Sequence, residues 1–314
     1  MHYLSKFFIL FCLIFNSSCA EKLTDVVAEK YKDTEKRAEI TKQNNQVARQ
    51  FGKYTEQPTI WSEVKTPAKG HPQSIGGYSN GCQVGAIELS KIGIGYYDIR
   101  RYRHRFFSQP STISVIQNIG HELDKKYAEQ ILLGDLSQPI GGLMSYAHVS
   151  HQNGLDADIY FATIKRGTTP DDDYEAPAVV DKATGKMKLE LWKPQYRDAL
   201  FTAANNSEVT RIFVNPIIKK HLCDTEKDTS WLKKIRPWGG HTAHFHLRVR
   251  CPINNSLCNN QAAVPPGDGC NKELVNWIER QRIDTLNPKP KVKDTSPPLR
   301  PTPPAACLDL LKNK

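Results

Sequence analysis

The sequence lacks several features that would point to other classes of protein. After the first 20 residues no apolar stretch is long enough for a transmembrane helix. No Cys-x-x-Cys pair occurs, which argues against a cysteine metal site. There is no internal repeat and no basic-aromatic module, so only the charge of the chain suggests a nucleic-acid binder. With 314 residues, 39% of them hydrophobic, the chain can build a sizeable core in one large domain or two small ones.

The charge balance is basic. Lysine and arginine number 43 against 33 aspartates and glutamates, a formal charge of +10. A basic surface suggests an anionic partner such as nucleic acid, a membrane surface or a polyanionic wall. The same balance is also found in soluble proteins with a slightly basic surface, so charge does not decide between these classes.

The N-terminus has the layout of a secretory signal peptide. A short segment with one lysine precedes the apolar run Phe7–Phe15, and small residues follow it. Cleavage after Ala20 would leave small residues at both positions that signal peptidase reads. Lipid attachment at Cys19 is the alternative, although Asn16 fits a lipoprotein signal poorly. We predict a signal peptide over residues 1–20 and therefore export.

Removal of that signal leaves six cysteines. An even number in an exported chain indicates a disulfide framework, for which the count alone allows 15 connectivities. The remaining cysteines are Cys82, Cys223, Cys251, Cys258, Cys270 and Cys307.

Composition divides the rest of the chain into three parts. Residues 21–70 are mostly polar and predict a solvated helix or flexible arm. Residues 71–284 alternate apolar runs with turn residues, with helical periodicity over 111–132 and 196–205 and a strand over 210–214. Residues 285–314 are rich in proline and lysine and predict an extended tail, which a disulfide at Cys307 would pin back. The mixture of helices and strands predicts an α+β domain.

Five of the ten histidines fall in two short segments. In the second segment polar and apolar residues alternate without a break from residue 244 to residue 250. Side chains alternate faces along a strand, so one face of this strand is apolar and the other carries two imidazoles and two guanidiniums. Burying these groups without anionic or metal partners is unfavourable. We therefore expect a wet groove or a charged site on the face that carries His244, His246, Arg248 and Arg250.

The first segment alternates in the same way. Apolar residues from Leu155 to Phe161 alternate with Asp156, Asp158 and a tyrosine, and His151 precedes them behind a turn. If the two strands are neighbours, His151, Asp158 and His246 can converge. Two imidazole nitrogens and one carboxylate oxygen suit Zn²⁺ with a fourth position open for water. A single histidine is more often a core or surface residue, but the coincidence of both segments predicts metal binding.

These motifs resemble those of a zinc peptidase superfamily that includes lysostaphin-type enzymes, D-alanyl-D-alanine metallopeptidases and hedgehog domains. The shared signature is a His, six residues and an Asp, followed later by His-x-His. Within the superfamily the chain is similar to the penicillin-insensitive murein endopeptidases from about Ile75 to Trp277. The similar segments are IGGYSNGC, GYYDIRRYR, HVSHQNGLDADIY, VTRIFVNP, WLKKIRPWGGHTAHFHLRVRCP and PPGDGC.

The resemblance implies a role for each residue of the histidine motifs. It implies Zn²⁺ held by His151, Asp158 and His246, with His244 and His241 as active-site histidines. His148 matches a histidine that binds an auxiliary metal or supports the site. The resemblance also implies the disulfides Cys82–Cys307, Cys223–Cys270 and Cys251–Cys258. The expected fold is an antiparallel sheet that carries the zinc site, with flanking helices.

The resemblance further implies a periplasmic zinc metallopeptidase that hydrolyses D-alanyl-meso-diaminopimelate cross-links in peptidoglycan. His244 would act as general base or stabilise the oxyanion, and His241 would assist. Arg248 or Arg250 is a candidate to bind a substrate carboxylate, or else pairs with Asp156 or other acids. The alternatives are a D,D-carboxypeptidase or another zinc wall peptidase, and a non-catalytic wall-binding protein with structural zinc. The sequence leaves the oligomeric state open.

Overall fold

The computed structural model describes residues 59–145, 147–288 and 302–312. The predicted signal peptide and residues 21–58 of the predicted arm lie outside the described residues. The strands are β1 (Gln73–Ile75), β2 (Cys82–Val84), β3 (Ile87–Glu88), β4 (Ile92–Gly93), β5 (Tyr96–Asp98), β6 (Phe107–Ser108), β7 (Glu129–Leu133), β8 (Asp156–Lys165), β9 (Val180–Asp181), β10 (Lys186–Met187), β11 (Val209–Val214), β12 (Ile235–Pro237) and β13 (His244–Val249). The helices are α1 (Pro110–Tyr127), α2 (Pro194–Asn205), α3 (Pro216–Thr225), α4 (Lys272–Leu286) and α5 (Ala305–Lys312), and two 3₁₀ helices span Arg101–Arg103 and Ser230–Lys234.

A seven-stranded sheet forms the centre of the fold, in the order β12-β11-β13-β8-β7-β5-β4. The pairs between β11 and β7 are antiparallel, whereas β12 runs parallel to β11 and β5 runs parallel to β7. The predicted α+β class is therefore confirmed, with a sheet that is mixed instead of wholly antiparallel.

Local chemistry explains where the helices begin. Helices α1, α2 and α3 each start with proline, whose fixed φ suits the first helical position and whose missing N–H is not needed there. The side chain of Asn215 also accepts a hydrogen bond from the N–H of Ile217 and caps α3. Within the described residues no helix has both the length and the apolar character needed to cross a membrane.

The predicted helix over residues 111–132 is too long at its end. Helix α1 stops at Tyr127, Ala128 adopts a left-handed conformation, and the next residues form β7. The residues Ile131, Leu132 and Leu133 are all buried. A strand that is buried on both faces is a continuous apolar run, and periodicity cannot separate such a run from the end of a buried helix.

Helices α1, α2 and α3 cover one face of the sheet. Alternate residues of β8 and β13 point into this layer, where the rings of Phe161 and Phe245 lie 5.7 Å apart. Both rings are buried with the helical residues of α1, α2 and α3 in one hydrophobic core. This confirms the apolar faces predicted for the two strands, so the polar faces lie on the opposite side.

A second, smaller core lies near the ends of the described chain. Trp61 is only 1% exposed and packs with Ile140, Leu143 and the disulfide of Cys82 and Cys307. Packed structure thus starts at least ten residues before the predicted boundary at residue 71. It also includes α5, within the segment predicted as an extended tail.

The structure contains three disulfides, Cys82–Cys307, Cys223–Cys270 and Cys251–Cys258. They are the pairs that the resemblance implies. The first fastens α5 to β2, as expected for a disulfide that pins the end of the chain. Three disulfides fit a protein that matures outside the cytoplasm.

Candidate metal centre

The register of β8 and β13 builds the polar face of the sheet as three cross-strand pairs. Tyr160 lies opposite His244, Asp158 opposite His246, and Asp156 opposite Arg248. Because side chains alternate, all six point to the same side. The polar residues of β8 and β13 therefore form two neighbouring rows on the face of the sheet opposite the hydrophobic core.

His151 reaches this array from the loop before β8. Its backbone is left-handed with φ 65°, and its N–H donates to a carboxylate oxygen of Asp156 at 2.9 Å. The ring Nδ1–H donates to the carbonyl of Leu136 at 2.8 Å, which turns Nε2 toward β13. The side chain is fully buried. A histidine that donates one ring N–H to a carbonyl presents its other nitrogen as a defined lone pair.

Three donor atoms meet at one point. Nε2 of His151 lies 3.1 Å from Nδ1 of His246, and Oδ1 of Asp158 lies 3.4 Å and 3.3 Å from these two nitrogens. Among the residues that the structure describes, this buried oxygen has no hydrogen-bond partner. Buried polar atoms are normally satisfied, so an unpaired carboxylate oxygen facing two imidazole nitrogens fits a cation.

His148 lies on the other side of Asp158. Its ring Nε2–H donates to Asp135 at 2.8 Å, and its Nδ1 lies 3.6 Å from Oδ2 of Asp158. Asp135 is buried and also accepts hydrogen bonds from Arg105 and Arg103. Donor atoms of His148, His151 and Asp158 all lie within 4.8 Å of one another, so this group could hold a metal ion.

Burial and charge set the protonation of the cluster. Burial lowers the pKa of His151 to about 4, so this imidazole is neutral at neutral pH. Burial alone would raise the pKa of Asp158, but the surrounding histidines hold it well below its usual range. Burial likewise opposes a charge on His246, but Asp156 and Asp158 outweigh it and raise its pKa to about 9. The cluster therefore offers a carboxylate and a neutral imidazole, with strong attraction for a positive charge at His246.

His244 and His241 form the rim of the cluster. Nε2 of His244 lies 3.7 Å from Oδ2 of Asp158, and the rings of His241 and His244 are 5.1 Å apart. His241 donates its Nδ1–H to the carbonyl of Gly239, and burial lowers its pKa to about 4. Its Nε2 is therefore a neutral acceptor at neutral pH. Next to it, Trp238 is 57% exposed and contacts the ring of Phe213.

The two arginines differ in their surroundings. Arg248 is buried and donates from Nε and from one terminal nitrogen to the two oxygens of Asp156, at 2.8 and 3.1 Å. Arg250 lies beyond the end of β13, is half-exposed, and pairs with Glu208. The structure therefore contains the acidic pairings that were the alternative to substrate binding, and it does not bring Arg250 to the histidines.

The sequence analysis missed Asp135 as a member of the cluster. Asp135 comes 23 residues before Asp158. Its carbonyl accepts the backbone N–H of Asp158 at 3.1 Å, and its carboxylate is linked to that of Asp158 through His148. The one signal in the sequence is its place directly after a buried apolar strand, where a charged residue needs a partner. The predicted residues His148, His151, Asp158, His241, His244 and His246 all lie together in the structure.

Comparisons with known proteins show the family of the chain. The sequence profile described as penicillin-insensitive murein endopeptidase matches residues 74–312. A penicillin-insensitive murein endopeptidase of Yersinia enterocolitica is 40% identical over 259 residues, covering 81% of this chain and 91% of the relative. That of Klebsiella pneumoniae strain 342 is 41% identical, covering 78% and 89%, and that of Haemophilus influenzae is 40% identical, covering 76% and 86%. The chain therefore belongs to the penicillin-insensitive murein endopeptidase family of peptidases.

Proposed function

We propose that the chain is a zinc-dependent endopeptidase that hydrolyses D-alanyl-meso-diaminopimelate cross-links of peptidoglycan in the periplasm. One observation carries the zinc part of the proposal: three donor atoms, of His151, Asp158 and His246, lie 3.1 to 3.4 Å apart. Zinc binds such atoms at about 2.0–2.2 Å, so two ligands of a tetrahedral zinc lie about 3.3–3.6 Å apart. The observed separations are within about 0.2 Å of this range, and three protein ligands would leave a fourth position for water.

His246 is a better third ligand than His148. His246 Nδ1 lies within 3.3 Å of both other donor atoms, whereas His148 Nδ1 is 3.6 Å from the outer oxygen of Asp158. The Nε2–H of His148 is also engaged by Asp135. We therefore assign His148 a supporting place beside Asp158, from which it could bind an auxiliary metal through Nδ1.

The rim histidines supply the proton chemistry. When bound, zinc polarises a carbonyl and makes a coordinated water acidic near neutral pH. His244, with Nε2 3.7 Å from the outer oxygen of Asp158, lies beside the residues that would hold zinc and is the candidate general base. His241 offers a neutral Nε2 beside it and would assist in orientation or proton transfer. No serine nucleophile is required, so penicillin has nothing to acylate.

The substrate and the compartment follow from the family and from the disulfides. The related proteins are named murein endopeptidases. Three disulfides suit an oxidising compartment such as the periplasm. The N-terminal segment Met1–Ala20 would direct export, with lipid attachment at Cys19 as the alternative.

The test is digestion of purified cross-linked muropeptide dimers, with products identified by mass. We expect the dimer to split into two monomers, the reaction to stop after chelation, and zinc to restore it. Release of terminal D-alanine with an intact dimer would indicate a D,D-carboxypeptidase. A metal-loaded protein that sediments with wall but releases no fragment would indicate a non-catalytic wall-binding protein.

A further inference from the structure

Asp156 is in contact with both histidines of the proposed zinc site without being a ligand. Its carboxylate is fully buried. Oδ2 accepts the backbone N–H of His151 at 2.9 Å, and Oδ1 lies 3.0 Å from Nε2 of His246. Each oxygen of one carboxylate thus faces a different histidine, one at its backbone and one at its ring.

This arrangement determines which nitrogen of His246 is available. The ring is turned out of hydrogen-bond alignment with Asp156, but a lone pair on Nε2 would face a carboxylate lone pair at 3.0 Å and be repelled, so Nε2 is the nitrogen that carries the hydrogen. In the neutral ring Nδ1 then has its lone pair toward His151 and Asp158, and a proton held there at neutral pH would have to leave before a metal is bound. Asp156 acts on the backbone of His151 instead of on its ring. This backbone is left-handed at φ 65°, and the hydrogen bond from its N–H to Asp156 holds it in that conformation.

Arg248 holds the carboxylate of Asp156 in position. It donates to both oxygens of Asp156 and, through its third nitrogen, to the side-chain oxygen of Gln261 at 2.7 Å. Its guanidinium lies 4.1 Å from the ring centre of Tyr78, whose hydroxyl donates to the carbonyl of Val249. All three nitrogens of the guanidinium are therefore engaged by protein groups, and the charge of the buried carboxylate is neutralised in place.

We propose that Asp156, held by Arg248, is the positioning residue of the metal centre: it fixes the tautomer of His246 and the backbone of His151. The inference rests on the proposed function. It assigns Arg248 to the metal centre instead of to a substrate carboxylate.

The test is the zinc affinity of Asp156→Asn, measured on folded protein by competition with a chromophoric chelator. The amide keeps the size of the side chain but accepts at only one of its two atoms, so it cannot serve both histidines. We expect affinity to fall by about 10- to 100-fold, the range found when partners of metal-bound histidines are removed. Asp98→Asn is the matched control, because Asp98 is also buried and pairs with an arginine, Arg101, away from the histidines. Its zinc affinity should equal that of the wild type.

A second variant covers the case in which Asp156→Asn does not fold. Arg248→Lys keeps the positive charge but loses the two-point contact with Asp156. We expect a smaller loss of zinc affinity and an activity that excess zinc restores, with an unchanged Michaelis constant at saturating zinc. A purely structural role would instead lower the unfolding temperature of the metal-free protein and leave the affinity of the folded fraction unchanged.

The outcomes separate this inference from the proposed function. If the wild type neither binds zinc tightly nor cleaves muropeptides, the proposed function fails. If the wild type does both and folded Asp156→Asn binds zinc as tightly, the positioning assignment alone is overturned. A raised Michaelis constant in Arg248→Lys that excess zinc does not correct would indicate that Arg248 binds substrate. That result would overturn the assignment of Arg248 to the metal centre.

Discussion

The packing of Gly142 against Trp61 gives a sharp test of the structure around the metal centre. Gly142 has φ 76°, and a Cβ added to it would lie 2.0 Å from the indole of Trp61. Gly142 lies nine residues before His151 in the chain, and Trp61 packs against it from a distant segment. The test compares Gly142→Ala with two other glycine substitutions that isolate each contribution.

The two controls separate backbone strain from the clash with Trp61. Gly239 has neither a positive φ nor an atom within 4 Å of an added Cβ, so Gly239→Ala should stabilise the fold by about 0.4–1 kcal/mol through the unfolded chain. Gly167 has open space but φ 80°. A left-handed alanine costs about 1–2 kcal/mol, so Gly167→Ala should destabilise by a net of about 1 kcal/mol.

Gly142→Ala combines the same backbone strain with displacement of a buried indole. Overpacking of a core costs about 1–3 kcal/mol, which brings the expected loss to about 3 kcal/mol. At about 2–4 °C per kcal/mol, the unfolding temperature should fall by roughly 6–12 °C, against roughly 2–4 °C for Gly167→Ala. The assay is thermal unfolding followed by circular dichroism at a fixed zinc concentration. Equal losses in the two variants would refute the packing of Trp61 against Gly142.

Three further predictions concern the site and the core. His246→Ala should abolish chelator-sensitive cleavage of muropeptide dimers and bound zinc together, since it removes one of three proposed ligands. His244→Ala should retain zinc, as measured by metal analysis, while the turnover number falls by about 10²- to 10⁴-fold, the range for a lost general base. Burial, reinforced by Arg236, lowers the pKa of Lys219 to about 7, so the unfolded chain binds more protons between pH 7 and pH 10.5. The free energy of unfolding should therefore rise with pH across this window in the wild type by more than in Lys219→Met, as urea titrations at several pH values would measure.

The faces of the central strands were predictable from the sequence because one face is apolar and the other carries polar and charged side chains, although both are largely buried. Strand β13 alternates throughout and β8 alternates from Asp156 to Phe161, and the apolar residues Ile159, Phe245 and Leu247 are all buried in the structure. The gathering of His151, Asp158 and His246 followed from that alternation together with the assumption that the strands are neighbours. Their pairing bears out this assumption.

The parts that sequence reasoning missed depend on contacts between distant segments. The end of α1 was misplaced because β7 is apolar on both faces and carries no period of two. Asp135 was missed because its backbone hydrogen bond to Asp158, and the link between the two carboxylates through His148, depend on how β7 pairs with β8. Trp61 lies in a polar stretch, and its burial depends on a cleft formed partly by Gly142.

The strand register explains which histidine of the His-x-His pair faces Asp158. The two imidazoles share one face, so periodicity alone permits either of them to lie opposite this carboxylate. A shift of two residues in one direction would place His244 opposite Asp158 and leave Arg248 opposite a glycine. A shift in the other direction would place Arg248 opposite Asp158, with no imidazole facing the carboxylate. Only the observed register pairs Asp158 with His246 and gives Arg248 the buried carboxylate of Asp156. The ion pair proposed to position His246 therefore also opposes the register shifts that would dismantle the metal centre.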